Sequence, residues 1–75
     1  MIKKIELSRI YKTNLHNWRH EKGVSIKDMA FDLGITDQYI YMTEDPNSDH
    51  DLSFSKMVQF CNYFDKDITE LFMEE

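Results

Sequence analysis

The stretch "MAFDLGITDQYIYMTE" constrains the fold of this chain more than any other. Met29, Ala30 and Leu33 fall at helical spacing and give one short apolar face, and Ile40 begins another, with Tyr39 and Thr43 as further inward candidates. Between them Gly34 supplies the left-handed turn that other residues adopt at a cost. Ile35 plugs the angle between the helices, and the Thr36 hydroxyl caps the second one. Two short helices joined in this way cross steeply, so one helix start projects outward from the body of the domain.

The remaining pattern is helical as well. From about Ser8 to Lys22, the Tyr11, Leu15, Trp18 series has i, i+4, i+7 spacing and predicts a buried stripe, closed by Gly23. Ser25 is a natural cap for the next helix. "EDPNSDHDLS" is rich in turn formers and reads as a loop. Ser53 or Ser55 then caps a fourth helix whose apolar residues include Met57, Phe60, Cys61 and Phe64. Asp67 caps a short last helix through Ile68, Leu71 and Phe72. Residues 1–7 fit a strand, an extra helical turn or an arm, and are read as an arm that orders against something. The expected fold is therefore all-α: a compact five-helix bundle over 8–75 containing a helix-turn-helix, with a short N-terminal arm.

Length and composition exclude several classes. Seventy-five residues make one small domain, and a chain that is 41% hydrophobic can bury a core. No apolar run approaches the roughly 18 residues that span a bilayer. The N-terminal lysines are followed by no apolar h-region, so no secretory signal is expected. Cys61 is the lone cysteine and cannot form an internal disulfide, which fits a reducing cytoplasm. Charge is uneven. Through Lys27 there are seven bases (Lys3, Lys4, Arg9, Lys12, Arg19, Lys22, Lys27) against Glu6 and Glu21, a net of +5. The remainder carries −10, for a total of −5. A polyanion is attracted to the first third and repelled by the rest, unless folding mixes the two.

The segments "WRHEKG", "VSIKDMA", "LGIT", "YIYMTE" and "DKDITELF" follow one another with defined spacing. In order, spacing and apolar positions they resemble the lambda-repressor/Cro-type (XRE) helix-turn-helix family over about Tyr11 to Phe72. Typical members there read "LSQEELA", "LGIS", "ISxIE" and "GVSLDELF". The resemblance implies a small DNA-binding transcriptional repressor or regulator. It places the third helix, about 36–45, in the major groove and acts as a homodimer. The chain departs from the family at Ile26, where a Gln is common, and at Thr43, commonly apolar. The outward letters of its third helix are Asp37, Gln38, Tyr39, Tyr41 and Met42, with no cation among them.

On this reading Gln38 and Tyr41 face base edges, while Thr36, Tyr39 and Lys27 hold the backbone. Asp37 repels phosphate but can accept from a cytosine amine. Lys3, Lys4, Arg9 and Lys12 form a basic arm, and Ile68, Leu71, Phe72 and Met73 a self-association surface. An alternative from another class is a protein–protein interaction module, an antagonist or inhibitor of the small kind that phages and mobile elements encode, without sequence-specific DNA affinity, that meets its partner through Tyr39, Tyr41 and Met42 beside Phe31. Neither reading needs a cofactor or metal. His16 and His20 sit at i, i+4 but lack a third ligand, and "EDPNSDHD" lacks the central glycine and closing glutamate of a calcium loop. No nucleophile–base pair or paired carboxylate is present, so an enzyme is not expected.

Overall fold

The structure, a computed structural model, describes residues 3–74; Met1, Ile2 and Glu75, part of the expected arm and the chain's last residue, lie outside that range. Among the described residues five helices follow one another: α1 (Lys4–Lys22), α2 (Ile26–Leu33), α3 (Asp37–Glu44), α4 (Phe54–Tyr63) and α5 (Ile68–Leu71). The all-α five-helix architecture is as the sequence predicts. No helix among the described residues is long and apolar enough to cross a membrane.

Local chemistry sets most boundaries. Ser25, Thr36 and Ser53 each accept a hydrogen bond from the backbone N–H three residues on, and the Asp67 carboxylate accepts from Thr69 N–H. Gly23 and Gly34 close α1 and α2 with φ of 73° and 69°. A Cβ on Gly34 meets nothing within 4 Å, so the backbone angle and not crowding requires glycine there. The Tyr11, Leu15, Trp18 stripe is buried. It packs with Met29, Ala30, Ile40, Leu52, Phe60, Cys61, Phe64 and Leu71 in one core. Burial also pushes the Cys61 thiol pKa up, which suits a packing residue and not a nucleophile.

Residues 4–7 differ from the expected arm: they are the first turn of α1. Glu6 accepts from Lys3 N–H at the helix start. Lys4 Nζ lies 3.2 Å from Asp51, and the Ser8 hydroxyl donates to the same carboxylate. A partner far along the chain therefore meets a segment whose own letters are ambiguous.

The Tyr63 hydroxyl on α4 ties that helix to α2 by donating to Asp32 Oδ2 at 2.7 Å. Burial first, and then the Asp32 carboxylate, push its pKa from 10.0 up to about 12. The folded protein thus prefers neutral Tyr63. This contribution to stability is complete below pH 10 and is lost as pH rises from 10 towards 12. In an NMR titration of tyrosine ring carbons, Asp32→Asn should move the Tyr63 midpoint down towards 10. An unchanged midpoint would show that Asp32 has no part in the shift.

Candidate nucleic-acid interface

A second stripe runs along α1 one residue beyond the apolar one. Ser8, Lys12, His16 and Arg19, spaced i, i+4, i+8 and i+11, share a helix face. Each meets an acceptor on α3 or on the loop after it. Arg19 donates from Nε to Glu44 Oε2 at 2.7 Å and from an Nη to Oε1 at 3.0 Å, the bidentate geometry in which arginine binds carboxylate best. Its other Nη donates to the Val24 carbonyl. His16 Nδ1 lies 2.8 Å from Glu44 Oε1. The Glu44 side chain is only 7% exposed, so the final residue of α3 is clamped to α1 inside the protein.

Lys12 is wholly buried. Its ammonium donates to the Ser48 carbonyl at 2.8 Å and to Ser48 Oγ at 3.2 Å, with Asp51 at 3.9 Å. The Ser48 hydroxyl donates in turn to the Met42 carbonyl, one of the free carbonyls at the end of α3. Tyr11 completes the link: its hydroxyl donates to Asp51 and accepts from Leu52 N–H. Asp51, holding Lys4, Ser8 and Tyr11, has its pKa lowered, chiefly by the Lys4 contact. Thr43, buried where an apolar side chain is usual, donates its hydroxyl to the Tyr39 carbonyl one turn back. The loop and the end of α3 are therefore fixed to α1 by polar contacts as well as by the core.

The opposite side of α3 is free. Thr36, Asp37 and Gln38 are exposed, and Tyr41 is 62% exposed. Among the described residues, the side chains of Asp37, Gln38 and Tyr41 make no hydrogen bond within the protein. The Thr36 oxygen accepts from Tyr39 N–H and its O–H remains able to donate. Lys27 is exposed in the first turn of α2. Tyr39 departs from the outward placement expected of it. Its ring is half-buried and meets the His50 ring edge-on at 4.6 Å, with Phe60 behind at 6.4 Å. Burial raises its hydroxyl pKa. Tyr39 is thus mainly a wedge between α3 and α4.

Two further expectations are corrected. Lys12 cannot serve in a basic arm, because the Ser48 and Asp51 oxygens hold its ammonium away from solvent; Lys4, though exposed, is shared with Asp51. Leu71 cannot contribute to a self-association surface, because it is fully buried in the core. Ile68 and Phe72 are half-buried, and only Met73 of that set is well exposed. Of the early cations, Arg19 and Lys12 neutralise the acidic half internally and Lys22 lies over the Tyr63 ring. Lys3, Arg9 and Lys27 remain exposed and without an ion pair among the described residues. Compared with known proteins, the chain matches no family model, and no curated protein matches it.

Proposed function

We propose that the protein is a small non-enzymatic DNA-binding regulator of the lambda-repressor/Cro type, acting as a homodimer in the cytoplasm and laying α3 in the major groove. One observation carries this reading: α3 is fixed from behind by the Glu44 clamp while its outer edge keeps Gln38 and Tyr41 unspent. A helix presented rigidly with unpaired polar groups suits base-edge recognition. Gln38 pairs with an adenine edge, Tyr41 meets a neighbouring base, and Asp37 accepts from a cytosine amine. The Thr36 hydroxyl, the first backbone N–H groups of α3 and Lys27 hold phosphates. Tyr39 supports the helix instead of touching phosphate.

With few free cations the salt dependence per protomer is shallow, since its slope scales with the phosphates neutralised. Two copies on a two-fold site double the contacts. Fluorescence anisotropy across a salt series and a pool of duplexes tests this. Sequence discrimination that persists at moderate salt is the expected result, with Gln38→Ala flattening the preference at one position. Lys27→Ala should weaken all duplexes alike and lower the slope by about 1. Undetectable binding at low salt would sink the proposal.

A second reading is favoured by Tyr41, a large exposed aromatic beside the half-buried Met42 on a helix without cations. Tyrosine and methionine are enriched at protein interfaces. If duplex binding fails while Tyr41→Ala disrupts a protein complex, α3 serves a protein partner.

A further inference from the structure

Two imidazoles stand side by side on the outer surface of α1. His16 and His20 are one turn apart and both exposed, with ring centroids 4.4 Å apart and planes tilted by 58°. His16 is also oriented from behind. Its Nδ1 lies 2.8 Å from Glu44 Oε1, on a carboxylate that already accepts two hydrogen bonds from Arg19. A carboxylate so engaged can only accept, so Nδ1 carries the hydrogen and Nε2 of the neutral ring keeps its lone pair. The ring spans from this buried carboxylate, 7% exposed, to solvent, with 46% of its own side chain open. Metal-binding histidines are held in the same way, by a carboxylate on the nitrogen that does not touch the ion.

We infer that His16 and His20 form an open two-histidine site for a divalent transition ion of the Cu²⁺, Ni²⁺ or Zn²⁺ class, with water in the remaining positions. Two imidazoles at i, i+4 on one helix face reach a common ion, and imidazole selects these ions over Mg²⁺ and Ca²⁺. No third His, Cys, Asp or Glu joins them among the described residues, so the site is an open one and not a closed structural centre. Local charge permits a cation. Lys12 and Arg19, the cations on the turns either side of His16, spend their charge on Ser48, Asp51 and Glu44. The exposed Arg9 lies about 10 Å along the helix from His16. The two rings share an ion only while residues 16–20 are helical, so the ion binds the folded chain in preference to the unfolded one. The site stands whether or not α3 reads DNA.

The test titrates the full chain with NiCl₂, CuCl₂, ZnCl₂ and MgCl₂ by calorimetry, and follows its amide spectrum with substoichiometric Cu²⁺. One Ni²⁺ per chain is expected, with the tightest binding for Cu²⁺, none for Mg²⁺, and paramagnetic broadening centred on residues 16 and 20. His20→Gln is the clean variant, because that ring makes no hydrogen bond among the described residues. It should weaken Ni²⁺ at least tenfold while the metal-free thermal midpoint stays unchanged. His50→Gln should leave Ni²⁺ binding within twofold of the parent. Ni²⁺ should raise the thermal midpoint of the parent and not that of His20→Gln. The inference is overturned if His20→Gln weakens Ni²⁺ less than tenfold, which would mean that one ring alone holds the ion. Broadening centred elsewhere overturns it, as does a parent midpoint that Ni²⁺ leaves unchanged or lowers. Half an ion per chain would make the rings a bridge between two copies and overturn the single-chain site.

Discussion

Replacing Glu44 with glutamine should destabilise the fold by about 3–5 kcal/mol, the usual cost of breaking a buried ion pair by removing one partner. The Arg19 side chain is only 11% exposed, and its guanidinium would be left in place without a counter-charge. Glutamine keeps the volume and can still accept one hydrogen bond, so the loss isolates the charge and the second bond. A domain of this length has a total stability of about 4–11 kcal/mol, so the variant should be largely unfolded on warming. Urea unfolding followed by Trp18 fluorescence measures it. A double variant, Arg19→Met with Glu44→Leu, should recover much of the loss, since well-packed apolar pairs often replace buried ion pairs without penalty. Recovery should be incomplete, because the Val24 carbonyl loses its donor. A fall of less than about 1 kcal/mol for Glu44→Gln would mean that the core alone holds α3.

Lys12→Ala should cost about 2–4 kcal/mol, and its effect should be local as well as global. Two losses combine. The Ser48 carbonyl and hydroxyl lose a charged donor inside the protein, and the buried stem of the lysine leaves a void. Lys12→Met separates them by filling the space without the charge, and should cost about 1–3 kcal/mol for the unpaired oxygens. Because Ser48 donates to the Met42 carbonyl, amide exchange should quicken in residues 45–51 and at the end of α3 in both variants. Equal stability of Lys12→Met and the parent would show that solvent satisfies Ser48 as well as the ammonium does.

How far these features could be read from the letters depends on the range of the interaction. Caps at Ser25, Thr36 and Asp67, the glycine stops and the Tyr11, Leu15, Trp18 stripe are local, and periodicity exposed them. The first turn of α1 is not legible: Ile5, Glu6 and Leu7 fit strand and helix alike, and only the fold brings Asp51 beside Lys4 and Ser8. Lys12 departs from its expected place for a related reason. A lysine within a helix is ordinarily solvated, and only the fold brings Ser48 and Asp51 around it. Tyr39 follows its cap by three residues, a position that can turn to either side, and the rings of His50 and Phe60 decide it. The remaining signal in the letters is the second stripe. Ser8, Lys12, His16 and Arg19 run parallel to the apolar residues at the same period, and polar groups beside a buried seam need buried partners.

That polar seam has a consequence for how the protein can change. The contacts that hold α3 in position act from its inner side and its C-terminal end, through Tyr39, Ile40, Thr43, Glu44 and the Met42 carbonyl. Positions 37, 38 and 41 bear none of that load. A lineage can therefore rewrite these outer letters while foldability is guarded by a separate set of residues. In this chain the letters that are free to vary and the letters that keep the fold are inherited on different sides of one helix.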